Sequence, residues 1–501
     1  GYNGTTRLKK GYTKEVVGDS IGAYMRYDFE KSTTVEMKIG VSYVSIANAR
    51  ENLEKETAHK TFDQILADSK KEWNSYLSRI LVEGGTEDDK TVFYTALYHT
   101  LIHPNTLNDY NGEYPKMKTR ATLKTEGTRY TTFSLWDTYR NLHQLMSLVY
   151  PKQQSNMVKS MLQIYDESGW LPKWELNATE TTTMVGDPAG IIIADTYIRD
   201  FDIDKAYTAM LKSATQIENN PLRPSLKDYI EKGYLTTKTT ESGSVSTTQE
   251  YNTSDFAIAQ LAKELGKKQD YKLFSKRAIS YRNLFDTEFN LLRPKNDDGT
   301  WLTPYNPEYG ANFQKNLGFI EGNAWQYTFM LSHDIKGLIQ LIGGSKNFSL
   351  KLQEVFDKNQ FDMANEPDIA YPYLFNYIKG EEWKSQKLVL KLVKEYFQNK
   401  PAGLPGNDDT GTMSAWVVYA MMGIYPLTPG VPQYTITTPM FDKITLTLDT
   451  NYYKNKNIVI EREQNTNGKI KSIELDGKVH SSYFISHDDF VNGSTLKVIQ
   501  N

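Results

Sequence analysis

Residues 401–430 read PAGLPGNDDTGTMSAWVVYAMMGIYPLTPG. Gly403, Gly406 and Gly411 bracket the adjacent Asp408 and Asp409, and an apolar helix is predicted over Met413–Ile424 before the run closes on Pro426 and Pro429. Glycine lets a backbone take positive φ or approach a ligand closely. Paired carboxylates at a helix entrance suit a cation or acid–base work. They equally suit an N-cap over the first helical turn, and spacing alone leaves both readings open.

At 501 residues the chain exceeds one ordinary core, so two or more units are expected. A formal net charge of -3 gives no electrostatic reason to expect nucleic acid or an anionic membrane. The 34 Tyr and 8 Trp lean towards carbohydrate, whose C–H faces stack on rings. With no cysteine, disulfides, thiolate catalysis and zinc–thiolate sites are excluded. No apolar run approaches membrane-spanning length.

Working outward, Tyr24–Ile46 alternates with period two and is predicted as two antiparallel strands that need partners elsewhere. Ala47–Leu81 has helical spacing and reads as a linking helix. About a dozen helices with long loops rich in Gly, Pro, Asn and Trp follow from Asp88 to Gly423, which suggests a ring of α-hairpins with function on the loop face. After Pro432 the period returns to two, as YTITTPMFDKITLTL, NIVIEREQ, KIKSIELDGK and TLKVIQ. The expected fold is α+β multidomain. A helical toroid stands beside a β-sandwich that joins N- and C-terminal strands. The units expected are 1–60 (sandwich strands), 61–87 (linker helix), 88–430 (toroid) and 431–501 (returning strands).

Three further stretches concentrate chemistry. In FSLWDTYR (133–140), Trp136 offers a stacking face, and Asp137 and Arg140 can hydrogen-bond vicinal hydroxyls. As a helical i,i+3 pair they are also readable as a surface ion pair. In GFIEGNAWQY (318–327), Glu321 stands among aromatic residues, where desolvation would raise its pKa and suit a general acid, whereas a helix dipole would lower it. In MANEPDIAYPYLFNY (363–377), Asn365, Glu366 and Asp368 form a polar loop among prolines and aromatics.

Taken in order, SLWDTYR, GWLPKWELNATETTTMVGDPAGIIIADTYIRDF, VSTTQEYNTSDFAIAQLAKELG, GFIEGNAWQYTF, ANEPDIAYPYLFNY and GLPGNDDTGTMSAW resemble glycoside hydrolase family 92, the calcium-dependent exo-acting α-mannosidases. The resemblance implies an (α/α)6 catalytic toroid. It also implies that much of the family's N-terminal sandwich lies outside this sequence. Inversion requires an acid and a base carboxyl about 6.5–9.5 Å apart. Glu321 matches the family's acid and Asp409 its base, with Asp408 adjacent. Asn323, Gln326 and Asp409 are the implied Ca2+ ligands. Trp136, Asp137 and Arg140, with Asn365 and Glu366, are implied to hold the sugar.

Two departures bear on specificity. Some members carry a second aspartate where this chain has Asn407. Members that prefer α-1,2 linkages have His-Glu where this chain has Asn365-Glu366, so other linkages are implied. The implied partner is an α-mannoside glycan, and the implied location is the periplasm, the cell surface or the medium of a bacterium. The alternatives are a mannoside-binding protein of the same fold that has lost catalysis and a toroidal glucosidase without calcium.

Overall fold

The structure is a computed structural model. It describes residues 27–57, 59–199, 205–240, 243–310, 314–463 and 469–500, and the backbone of the short strands Tyr2–Asn3, Thr6–Arg7 and Ile21–Gly22. Positions 23–26, where the expected strand pair begins, lie outside the described residues.

Helices dominate from Glu87 to Met422. Their polarity tells where each one sits. Thr412–Met422 is apolar on every face and buried along its whole length, as such a helix must be. Pro188–Ile198 is buried over all but its last two residues. The long helix Ser244–Glu264 packs against Pro188–Ile198, Ala206–Thr215 and Lys268–Arg277. The last helix, Thr412–Met422, packs on the first, Glu87–His99, and on Leu142–Val149, so the helical region closes on itself. That closure is what the expected ring of helices requires.

The C-terminal strands form two sheets. The six-stranded one has the order Lys478–His480, Ile470–Leu475, Thr495–Gln500, Asn457–Glu463, Lys443–Thr447 and Ile80–Glu83. Its partner sheet is Ile424–Tyr425, Gln433–Ile436 and Phe484–Ser486. Alternate residues of Lys443–Thr447 and Thr495–Gln500 are buried, as strands with one packed face demand. Among the described residues the upstream strand that joins them is Ile80–Glu83, in register with Leu446–Lys443, and not residues 27–46.

This corrects two expectations. Residues 27–45 contain no strand, and their alternating apolar side chains Val35, Met37, Ile39 and Val41 are exposed. Alternation alone does not make a sheet: among the described residues no strand pairs with them, and two lone strands are marginal in water. Instead Ser42, Asn48 and Asn52 hydrogen-bond Asp109 and dock this segment on a loop of the helical body. The linking stretch 61–87 is likewise only partly helical. Phe62–Leu77, started by a Thr61–Gln64 capping box, stops before the strand Ile80–Glu83.

One buried cluster ties body to sheets. Arg199 donates to Asp195 (2.9 Å), Tyr434 Oη (3.1 Å) and His487 Nδ1 (2.9 Å), and Gly430 N donates to Asp195 (2.8 Å). Burial holds the His487 imidazole well below its usual pKa, with Arg199 adding to the effect, so it is a neutral acceptor for the guanidinium.

Candidate active site

Four loops converge on one face. The 318–327 loop is hung from the helix Ser244–Glu264: Val245 N donates to Gly318 O (2.8 Å), and Ile320 N donates to Ser246 Oγ (3.0 Å). The 363–368 loop is tied to it, because Asn365 Nδ2 donates to Glu321 O at 2.7 Å. The 403–411 loop lies on the 363–368 loop at Gly406, where an added Cβ would stand 3.0 Å from Ala364 Cβ. The short helix Leu135–Thr138 brings Asp137 to the same place.

Glu321 and Asp409 share an unusual backbone. Their φ values are +50° and +44°, in the left-handed region that non-glycine residues seldom occupy. Such positions persist when the surroundings over-determine them. Here the Asn365 tether holds Glu321, and Gly411 (φ +97°) lets the chain turn from Asp409 into the helix against Thr100.

The electrostatics are those of crowded carboxylates. Glu321 is half-buried; burial raises its pKa and the Asp409 charge raises it further. Desolvation therefore wins over any helix dipole, whose helix Ala324–Thr328 has only five residues. Asp137, 5% exposed, is pushed up to about 8, mainly by burial and also by Asp409 and Glu321; hydrogen bonding from Ser134 and the Arg140 charge oppose this. Glu366 is fully buried and raised well above the usual range, by burial first and then by Asp137 and Asp409. Asp409 is raised by burial, while a hydrogen bond with Glu366 pulls the other way. The charge of Asp409 raises Asp137, Glu321 and Glu366 alike, which places the three carboxyls near it.

The adjacent aspartates separate in role. Asp408 Oδ1 accepts from Ser414 N (2.8 Å), and Oδ2 lies 3.8 Å from His99 Nδ1, so Asp408 anchors the start of Thr412–Met422. Asp409 makes no such bond and faces Glu366. Asp408 takes a first-turn amide of the helix whose N-cap position is Gly411, and the Asp409 side chain does not. Asn407 is exposed.

Asp137 and Arg140 are not a surface pair. Both are buried, and Arg140 bonds Glu250 Oε1 (3.0 Å) while stacked over the Trp136 ring at 4.7 Å. Trp136 itself is 1% exposed. Glu250 was missed from sequence, although it stands inside the quoted run VSTTQEYNTSDF; nothing in its spacing marks it. Asn323 and Gln326 are occupied locally. Asn323 Oδ1 accepts from Trp325 N (3.0 Å) and Gln326 N (3.2 Å), and Gln326 Oε1 accepts from Asn323 N (3.0 Å), a reciprocal cap on the short helix. Among the described residues no three His, Asp or Glu side chains stand together as a ready-made metal cage.

A closed ring of helices with a carboxylate-rich loop face is the architecture of a carbohydrate-active toroid. The pattern of the glycosyl hydrolase family 92 catalytic domain matches residues 48–499, and the chain belongs to this family. It is similar to a family 92 α-mannosidase of Bacteroides thetaiotaomicron at 33% identity, with a TM-score of 0.84 over 91% of this chain and 61% of that one. The complex of that mannosidase with mannoimidazole matches equally well, at 32% identity over 92% of this chain and 62% of that one. A family 92 inverting mannosidase of the same organism is 27% identical, with a TM-score of 0.84 over 91% of this chain and 65% of that one. An uncharacterized secreted glycosidase of Arthroderma benhamiae is 27% identical over 95% of this chain and 62% of that protein. The chain thus spans about three fifths of the relatives it matches.

Proposed function

We propose that the chain is the catalytic part of a calcium-dependent, inverting exo-α-mannosidase. It releases terminal mannose from α-linked glycans by linkages other than α-1,2. One observation carries this reading: Glu321 and Asp409, on separate loops, both adopt left-handed backbone, and the Asp409 charge helps to keep Glu321 protonated. The similar mannosidases supply the mannoside and, for one of them, inversion.

Glu321, in its acid form, donates its proton to the glycosidic oxygen as the bond to the leaving sugar breaks. Asp409 takes a proton from the water that attacks the opposite face. The pKa of Glu321 is raised, so its acid form survives to higher pH and activity falls on the alkaline side as it ionises. Asp409 must be ionised, so activity also falls on the acid side. The hydrogen bond with Glu366 helps to keep Asp409 ionised despite its burial. Asp137, Trp136 and Arg140 grip the terminal sugar, and Asn365 holds the acid's loop. Asp408 supports the helix behind the base.

Calcium fits the carboxylates better than the amides. Glu366 Oε1 is buried with no partner, and a cation would relieve the repulsion around it. Asp409 and Glu366 would hold the ion, and neutral oxygens would complete its shell. The side-chain oxygens of Asn323 and Gln326 already serve the helix cap. When bound, the ion supplies Lewis-acid contact to sugar hydroxyls.

We also read 88–430 as the catalytic unit and 431–501 as the sheet unit that braces it, in a protein that acts outside the cytoplasm. The test is mannose release from α-1,3-, α-1,4- and α-1,6-mannobiose, with the first-formed anomer read by proton NMR. β-Mannose first, lost on chelation and restored by calcium, is expected; α-mannose first, or full activity in excess chelator, overturns the proposal.

A further inference from the structure

We propose that Glu250 is a positioning residue: it holds the Arg140 guanidinium away from Glu366, so that Glu366 stays open to what binds in the cleft. This rests on the mannosidase reading above. Glu250 is 1% exposed, and both its oxygens are engaged. Oε1 accepts from Arg140 Nη2 at 3.0 Å, and Oε2 accepts from Tyr139 Oη at 3.1 Å. Arg140 Nε donates to Trp136 O (3.2 Å), and the guanidinium lies between the Trp136 ring (4.7 Å) and the Tyr139 ring (4.6 Å).

Arg140 also lines a small, partly open pocket with Glu366, Tyr139, Thr253 and Tyr425. Glu366 Oε1 has no partner there. A guanidinium hydrogen-bonds a carboxyl within its reach and forms a bidentate pair with it once it ionises. They do not pair here, because Arg140 is already matched to another buried anion and clamped by two rings. Glu250 cannot yield ground either. A Cβ at Gly186 would come within 2.7 Å of Glu250 Cβ, so the 173–187 loop presses on its back. Ser254 Oγ, one turn on, bonds Asp187 O (2.9 Å) and fixes that loop.

With a neutral amide at position 250, Arg140 loses its buried anion, and Glu366, the carboxyl that lines the same pocket, is left to accept from it. The guanidinium then closes on that carboxyl, and the sugar-binding geometry at Trp136 goes with it. Misplacement on this scale costs about 100-fold. The test is a double-mutant cycle of Glu250→Gln and Arg140→Gln, read as kcat/KM on an aryl α-mannoside and as mannoimidazole affinity by calorimetry.

The expected result is a loss of about 100-fold in Glu250→Gln, mostly in KM, with the melting midpoint within a few degrees of the parent. The double variant should be no slower than Arg140→Gln alone. Losses that multiply, or a wild-type Glu250→Gln, overturn the inference. If Glu250→Gln does not fold, Tyr139→Phe drops one tether and leaves the ion pair. It should raise KM by a smaller factor that vanishes in the Arg140→Gln background, and an unaltered KM overturns the tether. A parent chain that cleaves no α-mannoside and binds no mannoimidazole removes the mannosidase reading. An active parent with an indifferent Glu250→Gln removes only the inference.

Discussion

Two groups of buried charge in this protein obey opposite rules. Around Arg223 every charged group has an opposite charge within 3.0 Å. Its Nε and Nη1 bond Asp187 (3.0 Å) and Asp255 (2.6 Å), Arg277 Nε lies 2.7 Å from the other oxygen of Asp255, and Tyr229 donates to that oxygen (3.0 Å). Around Asp409 four carboxyls face one another, and Arg140, the buried cation beside them, is pledged to Glu250. A buried ion pair needs matched partners to persist. A site that must bind a cation or pass protons gains from charges left unanswered. The first cluster supports the fold and the second leaves attraction for a ligand.

The largest expected effect breaks the second cluster. Glu321→Gln and Asp409→Asn should each lower kcat at least about 1,000-fold on unactivated mannosides. Neither should destabilise the chain, because each removes repulsion, and the melting midpoint should hold or rise. A drop of several degrees would place these carboxyls with the structural charges instead.

Breaking the first cluster should do the reverse. Asp255→Asn takes the ion-pair partner from Arg277 and leaves Arg223 with Asp187 alone, and should cost about 3–5 kcal/mol in urea unfolding. The folded fraction should keep the parent's kcat/KM. A large kcat/KM loss in fully folded Asp255→Asn would join the two clusters into one functional unit.

A cation sharpens the contrast from the ligand side. Calcium at about 100 times its Kd should stabilise the parent by about 2.7 kcal/mol, through binding to the native state alone. Asp409→Asn should reduce this gain in differential scanning calorimetry, and Asp255→Asn should leave it intact.

Acid probes the paired interior at similar size. His143, 1% exposed between Gln154 (2.9 Å) and Thr138 (3.2 Å), is lowered to about 4 by burial, against an unfolded value near 6.5. Its folded pKa is depressed, so the unfolded chain binds the extra proton. Stability should therefore fall as pH drops from about 6.5 to about 4, by roughly 3 kcal/mol from this residue. His143→Gln should flatten that slope. An unchanged slope would move the acid sensitivity elsewhere, with His487 the next group to replace.

The smallest effect belongs to Asn407. Its side chain is exposed beside the loop, so Asn407→Asp should change kcat/KM less than about 3-fold. A larger gain would make it a second base.

Much was legible locally. The helix Thr412–Met422 starts where Gly411 permits the turn, and Glu382–Tyr396 falls within a residue of its apolar stripe. Both are long periodic runs whose pattern is set by burial. The helices Ala206–Thr215 and Leu226–Lys232 were not foreseen, since short polar segments carry little periodicity. Residues 27–45 show the opposite failure: a clear period-two pattern that finds no partner strand among the described residues. At the site, motif resemblance marked Glu321, Asp409 and Glu366. It could not mark Glu250, whose partners Tyr139 and Arg140 stand 111 and 110 residues away in the chain.

Composition and periodicity alone determined the broad class of fold: a long helical region followed by strands, with acidic loops between the helices. These depend on neighbours within a few residues. The tertiary structure decided how equivalent-looking groups divide. Asp408 caps while Asp409 faces Glu366; Asn323 and Gln326 close on each other; Arg140 answers Glu250 and not Asp137. A carboxylate's task is set by its desolvation and by the charges within a few ångströms. Residues far apart in the chain supply both.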